Sequence, residues 1–284
     1  MWLLKILIKI IISRLPIKYS FWKKIGVFRH GGMDNYEYSK KIFFGHLGDM
    51  KKYRKIEKPT ILELGPGDGI TSAIYSSVLN SPKIYLIDVK PFAENNIDKY
   101  LNIIDLLKRD HQINISTKNI TSISSLLKQF NAVYLTNGLS SLRSIEDSSI
   151  DYLFSHSVME HIKFAEVDSL VREMYRVLKP NGVISHNINY KDHLEDSLNN
   201  LRFSFYVWES KFISKSGFYT NRIPAVEMHK IFKNNGFEFY FENFSKWKKL
   251  PIKRKYINTY FSKYTDKELI NCTSSFIAKK INLI

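Results

Sequence analysis

The sequence predicts an α/β fold in which a mostly parallel sheet carries helices on both faces. Short apolar runs alternate with segments of helical periodicity, which is typical of successive β–α–β units. A length of 284 residues suits one such domain with extensions better than two domains. The predicted strands are residues 60–64, 83–87, 131–135, 151–155 and 182–187, followed by 236–244 and 274–281.

A glycine-rich turn follows the first predicted strand, with glycine at positions 65, 67 and 69. Glycine lets the backbone approach a ligand closely and adopt dihedral angles that a Cβ atom would block. The spacing differs from the Gly-x-Gly-x-x-Gly pattern of dinucleotide sites, because Ile70 stands at the sixth position counted from Gly65. The turn is therefore predicted to be a poor cradle for a diphosphate.

The second predicted strand ends at a carboxylate, Asp88, about twenty residues after the glycine turn. At the carboxyl edge of a parallel sheet, this group can accept hydrogen bonds from both hydroxyls of a ribose. Two alternatives are local: Glu63 caps the turn, and Asp88 caps a helix that starts near Pro91. We favour ligand binding because a strand, the glycine turn, a second strand and the acid follow one another in this order along the chain.

The run from Glu63 to Gly69 matches acid-x-Gly-x-Gly-x-Gly, and it resembles the first motif of the class I S-adenosylmethionine-dependent methyltransferases at every fixed position. Residues 149–162 resemble the fourth strand of that family and the loop after it. Residues 171–184 resemble the helix, turn and fifth strand that follow. The resemblance covers roughly residues 59–284. It implies a Rossmann-like seven-stranded methyltransferase sheet that ends in an antiparallel hairpin, with S-adenosyl-L-methionine as the cofactor.

The resemblance also implies which residues bind this cofactor. Asp88 looks like the ribose-binding acid of the family. Asn137 and Gly138 stand where the family places its adenine contacts, although the segment departs from the usual Asp-bearing form. His156, near the end of the fourth strand, is expected to contact the cofactor. The predicted cofactor residues are Glu63, Gly65, Gly67, Asp68, Gly69, Asp88, Val89, Asn137, Gly138 and His156.

Methyl transfer to a hydroxyl needs alignment and the removal of a proton, and histidine is the natural base near neutral pH. His161 follows Glu160 in the loop that, by resemblance, faces the transferred methyl group. His193 is the second candidate, because the carboxylate of Asp192 beside it can orient the ring. The alternative for each of these histidines is a structural role. No metal site is predicted, since Asp192 and His193 lack further ligands at suitable spacing.

Residues 187–224 form a predicted acceptor-side insertion that is rich in aromatic residues. Aromatic faces stack on sugar rings, and arginine binds carboxylate or phosphate, so Arg202, Trp208, Asn221 and Arg222 are the candidate substrate-binding residues. The alternative is that the aromatic residues form the core of a hydrophobic lid. The segment more loosely resembles methyltransferases found among bacterial surface-polysaccharide genes. This resemblance implies O-methylation of a sugar or glycan intermediate in cell-surface polysaccharide biosynthesis.

Composition leaves other acceptors open. The chain has 43 Lys and Arg against 27 Asp and Glu, a net charge of +16, which indicates an anionic partner or a coding bias. RNA methylation is one alternative, although no recognisable RNA-binding module is present and nucleic acid is disfavoured. Lipid or quinone methylation at a membrane surface is another. The single cysteine, Cys272, excludes an internal disulfide and is compatible with the cytoplasm, where we expect the protein.

Residues 1–50 are predicted to be a basic, amphipathic N-terminal appendage to a methyltransferase domain of residues 51–284. Residues 2–12 are apolar except for Lys5 and Lys9, which share one helical stripe, and Pro16 should end the helix. The segment is shorter than the ~20 residues that span a bilayer. Residues 1–30 contain no acid, which favours contact with an anionic membrane through residues 1–24. Packing on the catalytic domain or on a second subunit is the alternative.

Overall fold

The structure, a computed structural model, describes residues 2–12, 14 and 31–281. The α-helices of these residues are α1 (Trp2–Ile12), α2 (Tyr36–Tyr53), α3 (Thr71–Tyr75), α4 (Ile97–His111), α5 (Ile123–Gln129), α6 (Leu139–Arg143), α7 (Val167–Val177), α8 (Phe205–Trp208), α9 (Lys211–Ser214), α10 (Ala225–Asn234) and α11 (Asp266–Leu269). The strands are β1 (Ile61–Leu64), β2 (Ile84–Ile87), β3 (Ala132–Leu135), β4 (Ile150–His156), β5 (Leu178–Asn189), β6 (Phe237–Lys246) and β7 (Asn271–Lys280). Short 3₁₀ turns include Ser76–Leu79, Met159–His161, Phe164–Glu166 and Asn199–Arg202.

Within the described residues the strands form one seven-stranded sheet in the order β3-β2-β1-β4-β5-β7-β6. The first five strands run parallel, and β7 lies antiparallel between β5 and β6. The predicted Rossmann-like methyltransferase sheet with its terminal antiparallel hairpin is confirmed. β5 begins at Leu178, earlier than predicted, because its first residues already pair with β4 across an irregularity in register.

Helix α2 belongs to the core of the domain. Its residues Phe43, Leu47 and Met50 are buried against the sheet together with Tyr75 and Tyr100. Full burial of one such side chain stabilises a fold by roughly 1.5–3 kcal/mol. A domain boundary at residue 50 would divide this helix, so the predicted division into residues 1–50 and 51–284 is wrong for residues 36–50. Their apolar face covers the sheet and makes them part of the catalytic domain.

Helix α1 packs on the insertion after β5. Ile6 and Ile10 are buried in a cluster with Leu194, Trp208 and Ile213. This is the packing alternative of the sequence analysis, while membrane contact stays a prediction. None of the described helices is long and apolar enough to cross a membrane. Residues 15–30 of the predicted basic appendage lie outside the described residues.

Candidate functional site

The backbone angles of the turn after β1, and the atoms packed against it, require glycine. Gly65 and Gly67 have φ angles of +69° and +60°. A Cβ atom on Gly65 would lie 2.3 Å from Cγ2 of Val158, and one on Gly69 would lie 2.5 Å from the carbonyl oxygen of Met33. Larger residues would push away the loop after β4 and the segment before α2. The turn is therefore enclosed by two segments that the sequence analysis did not connect with it.

Asp88, directly after β2, reaches back to the same turn. Its Oδ2 accepts a hydrogen bond of 3.0 Å from the Gly67 N–H, and its Oδ1 accepts one of 2.7 Å from the Val89 N–H. The residue is 8% exposed, and burial raises the pKa of its carboxyl group. The glycine turn and the acid meet at one edge of the sheet, as parallel pairing of β1 and β2 requires. Ribose binding by Asp88 stays a prediction.

Glu63, the first acid of the motif, is buried within β1. It is 2% exposed, and burial raises its pKa to about 8. Within the part of the chain that the structure describes, its Oε2 has no hydrogen-bond partner. A nearby cation favours the ionised form of such a carboxyl group, and S-adenosylmethionine carries sulfonium and ammonium cations. The unpartnered oxygen and the glycine cradle therefore fit this cofactor. Asp68 is also buried, and its carbonyl oxygen accepts a hydrogen bond of 2.8 Å from the Glu94 N–H.

The predicted adenine contacts lie beyond Asp88. Val89 is 58% exposed, an unusual value for an apolar side chain in a core strand connection. A Cβ on Gly138, where φ is +53°, would lie 3.1 Å from Cγ1 of Val89. The Gly138 N–H donates to the carbonyl oxygen of Asp88 at 2.8 Å, and Asn137 is exposed beside it. This arrangement leaves an accessible apolar surface on which a flat base can lie.

His156 ends β4 at the same edge, and its partner was not selected from the sequence. Nδ1 of His156 lies 3.2 Å from Nε2 of His46, a residue of α2. Nδ1 of His46 lies 2.7 Å from Oγ of Ser185, and its ring stacks on Phe154. Burial lowers the pKa of both histidines, that of His46 to about 3 with a smaller contribution from His156. We call His46 and His156 the inner pair.

His161 and His193 form a second contact, which we call the outer pair. Their Nε2 atoms lie 3.2 Å apart, and the rings stack at 4.9 Å. His161 is exposed and His193 half-buried. The protein around the two rings lowers the pKa of both, that of His193 to about 4, so both are neutral near pH 7. Val158 packs against Gly65 and accepts a hydrogen bond of 2.9 Å from the His161 N–H through its carbonyl oxygen, so the loop that carries His161 adjoins the glycine turn.

Hydrogen bonding assigns the protons of the outer pair. Nδ1 of His161 lies 3.0 Å from the carbonyl oxygen of Tyr219, which can only accept, so Nδ1 carries a proton. Neutral His161 then has its lone pair on Nε2, and Nε2 of His193 must donate to it. The lone pair of neutral His193 is therefore on Nδ1. That nitrogen has no hydrogen-bond partner in the described part of the chain, which leaves it available to an outside donor.

Asp192 does not orient His193, and this part of the prediction is wrong. Its carboxylate oxygens instead accept the backbone N–H groups of Leu194, Glu195 and Asn199, at 3.0, 2.8 and 2.6 Å. Among the described contacts none joins the carboxylate to the imidazole ring by a hydrogen bond. A carboxylate that binds three amides of the following loop stabilises the path of that loop. Asp192 therefore fixes the backbone after His193 rather than the ring.

The insertion clamps the turn that carries His161. Nδ2 of Asn221 donates to the carbonyl oxygens of Met159 and Ile162, at 2.7 and 3.0 Å. The Asn221 N–H donates to the carbonyl oxygen of Glu160 at 2.8 Å. Asn221 is only 3% exposed. Its amide thus holds both ends of the turn, so the prediction that Asn221 contacts the acceptor is replaced by a positioning role.

Trp208 and Arg222 are likewise interior residues. Trp208 has no exposed surface, and the buried guanidinium of Arg222 lies 5.4 Å from its ring centroid. Nη1 of Arg222 donates to the carbonyl oxygen of Phe203 at 2.8 Å. Direct acceptor contact by these two side chains is therefore wrong, because buried groups cannot reach a ligand in solution. They form the lid core that was the alternative. Arg202 is half-buried, and its contact with the acceptor stays a prediction.

Comparisons with known proteins agree with this geometry. The family model described as "Methyltransferase domain" matches residues 99–185, which contain β3, β4 and the first two thirds of β5. No curated protein sequence matches the chain. Among solved structures, the chain is similar to an S-adenosylmethionine-dependent methyltransferase from Methanosarcina mazei, at 16% identity over 80% of this chain and 95% of the other, with a TM-score of 0.46.

A second similar structure is an S-adenosylmethionine-dependent methyltransferase from Mesorhizobium loti, at 11% identity over 79% of this chain and 92% of the other, with a TM-score of 0.43. These scores are too low to transfer a substrate. The family match shows a methyltransferase domain over residues 99–185, and the sheet order and the glycine turn with its acid are those that the class I methyltransferase fold requires. The protein is accordingly a methyltransferase with S-adenosylmethionine as its cofactor.

Proposed function

We propose that the protein transfers a methyl group to a hydroxyl oxygen of a sugar or glycan intermediate in cell-surface polysaccharide biosynthesis. The observation that carries this proposal is the neutral outer pair beside the glycine turn, with the lone pair of His193 Nδ1 available. A hydroxyl is a weak nucleophile until its proton is removed, and a positioned base contributes about 10²–10⁴ in rate. The outer pair supplies that base.

S-adenosylmethionine supplies a methyl group on a sulfonium centre, activated for in-line displacement with a neutral thioether as the leaving group. Glu63 and the glycine turn would hold its cationic end, and Asp88 would accept hydrogen bonds from its ribose hydroxyls. Nδ1 of His193 takes the acceptor proton while the oxygen–methyl bond forms, and the Nε2–H of His193 passes to Nε2 of His161. The carbonyl oxygen of Tyr219 stabilises the resulting imidazolium. His161 is thus the final holder of the proton.

A row of accessible aromatic rings supports an acceptor that contains a sugar ring. Phe164 and Phe205 lie 5.1 Å apart between ring centroids, and Phe205 and Tyr260 lie 5.2 Å apart. The Phe164 N–H donates to the hydroxyl of Tyr219, whose carbonyl binds His161, so the row begins beside the outer pair. Aromatic faces stack on sugar rings. Arg202 offers a cation for the phosphate of a nucleotide or lipid carrier.

RNA methylation is a second candidate, favoured by the net charge of +16. Transfer of labelled methyl from S-adenosylmethionine to purified surface glycan, to nucleotide sugars and to RNA distinguishes the two. We expect incorporation into the glycan or sugar acceptors as a methyl ether that resists mild alkali, with a modest salt dependence. Preferential labelling of RNA that declines steeply as salt rises would replace the proposal, because phosphate contacts are lost with salt.

A further inference from the structure

Helix α1 is apolar on two opposite faces. Ile6 and Ile10 are 5% and 6% exposed and face the insertion, whereas Ile8 and Ile11 are 45% and 62% exposed. Positions three apart share one face of a helix, so the two exposed isoleucines form a continuous apolar surface. A helix that only packs on a domain needs one apolar stripe and carries polar residues opposite. The packing of α1 on the insertion therefore does not require its outer apolar face.

The surface extends onto helix α9. Phe212 is 55% exposed, and the guanidinium of Arg14 lies 3.7 Å above its ring. Nη2 of Arg14 donates to the carbonyl oxygen of Phe212 at 3.0 Å, and the Arg14 N–H donates to that of Ile11 at 3.1 Å. Arg14 thus joins the end of α1 to Phe212. We call Ile8, Ile11 and Phe212 the outer patch.

Cations surround the outer patch. Arg14, Lys211 and Lys215 are exposed, and none of them forms a salt bridge with an acid among the described residues. Apolar side chains flanked by cations that lack an acidic partner among the described residues match a lipid interface, where acyl chains take up the apolar groups and anionic headgroups take up the charges. An RNA would leave the isoleucines in water. We propose that the outer patch docks the protein on an anionic lipid bilayer.

The inner face of α1 connects this surface to the outer pair. Nζ of Lys9 donates to the carbonyl oxygen of His193 at 2.8 Å, and Ile10 packs in the cluster that contains Tyr219. Docking through α1 therefore brings the outer pair close to the headgroups, where a membrane-borne acceptor would reach it. That consequence rests on the proposed function, whereas the docking surface itself does not.

The test uses the full chain, because removal of α1 would uncover the buried cluster around Trp208. Cosedimentation is measured with vesicles of equal parts phosphatidylglycerol and phosphatidylcholine, and with phosphatidylcholine alone. We expect binding to the anionic vesicles only, and weaker binding as salt rises. The double variant Ile8→Gln/Ile11→Gln should lower the partition coefficient about tenfold or more. The matched control, Val226→Gln/Phe241→Gln, replaces similarly exposed apolar side chains elsewhere and should bind as the native protein does.

The charges are tested in the same way. Lys211→Ser/Lys215→Ser should weaken binding about fivefold per lysine at low salt, whereas Lys248→Ser/Lys249→Ser removes equal charge elsewhere and should have little effect. The proposal is overturned if the native protein does not bind anionic vesicles, if it binds RNA but not vesicles, or if each control pair weakens binding as much as its patch pair. S-adenosylmethionine affinity of every variant, measured by calorimetry, verifies the fold. A failure of sugar methylation leaves the vesicle results unchanged, so the two proposals are separable.

Discussion

The inner and outer histidine pairs share a contact of 3.2 Å between ring nitrogens but differ in access. His46 of the inner pair is 8% exposed, and both of its nitrogens are engaged. In the outer pair, His161 is exposed and His193 keeps a lone pair without a partner among the described residues. A base must reach its proton, and we assign that role to the outer pair because of the available lone pair on His193. A lowered pKa is common to both pairs, so access and not the pKa distinguishes a catalytic histidine from a packed one.

Loss of turnover on disruption of the outer pair is the largest expected effect. His193→Ala removes the proton-accepting nitrogen and His161→Ala removes the final holder of the proton. We expect each to lower kcat by about 10²–10⁴. S-adenosylmethionine affinity should stay within a few fold, since neither ring binds the cofactor in the proposed arrangement. Steady-state kinetics with a sugar acceptor and calorimetry provide the two measurements.

The double variant His161→Ala/His193→Ala tests whether the two histidines act together. Residues that act as one relay are strongly non-additive, so the double variant should be about as slow as the slower single variant. Independent roles would instead multiply the two losses. Near-normal kcat in both single variants would remove the outer pair from the mechanism and assign proton removal to another side chain or to solvent.

Substitution of His46 in the inner pair should lower the free energy of unfolding and leave kcat nearly unchanged. His46→Ala leaves Oγ of Ser185 and Nδ1 of His156 without their partner, and a buried polar group left unpaired costs about 1–3 kcal/mol. We expect urea denaturation to show a loss of this size, with kcat changed by no more than a few fold at a temperature where the variant is folded. A fall in kcat without a loss of stability would contradict the distinction between the two pairs.

The features that depend on neighbouring residues in the chain could be predicted from the sequence. The glycine turn and Asp88 are specified by consecutive residues at fixed spacing, so their meeting at one edge of the sheet was predictable. The outer pair joins residues 32 positions apart through the path of the insertion. The partner of His161 at Tyr219 is a backbone carbonyl, which no residue type reveals. This contact could not be derived from the sequence.

His46 was missed for a different reason. It stands with Phe43, Leu47 and Met50 on the buried face of α2, a spacing visible in the sequence. A predicted boundary at residue 50 separates this helix from the sheet that it covers, so His46 is not predicted to lie in the catalytic domain. The insertion shows the opposite error. Trp208 and Arg222 were selected by residue type, whereas burial, which depends on the folded path of the chain, gives them interior roles.

Cofactor affinity should depend on Asp88 and not on the outer pair. Asp88→Ala removes the carboxylate that we expect to accept the ribose hydroxyls, and S-adenosylmethionine affinity measured by calorimetry should fall at least tenfold, about 1.4 kcal/mol. The outer-pair variants serve as controls with unchanged affinity. Tighter binding of NAD than of S-adenosylmethionine by the native protein would contradict the assignment of this edge of the sheet.

The smallest expected effect is that of pH on turnover above pH 6.5. The base must be neutral, so the rate rises with pH through its pKa. An unperturbed histidine, with a pKa of 6.5, would be half protonated at that pH and would lose about twofold in rate relative to pH 8. Burial lowers the pKa of His193 to about 4 and also lowers that of His161, so the ascending limb should lie below pH 6.5. Turnover of the native protein should therefore be nearly constant between about pH 6.5 and pH 8.

Loss of activity through acid unfolding must be distinguished from this ascending limb. Acid also destabilises the fold, because the pKa of His46 in the inner pair is lowered as well. The pKa of His46 falls to about 3 on folding, so its contribution to stability is full above pH 6.5 and is lost as pH falls toward 3. Circular dichroism at each pH identifies the range in which the protein is still folded. A limb within that range, absent from the residual activity of His193→Ala, is expected from titration of the outer pair. A limb centred near pH 6.5 in the native protein would mean that the base is more hydrated than His193, and proton removal would then have to occur at a different group.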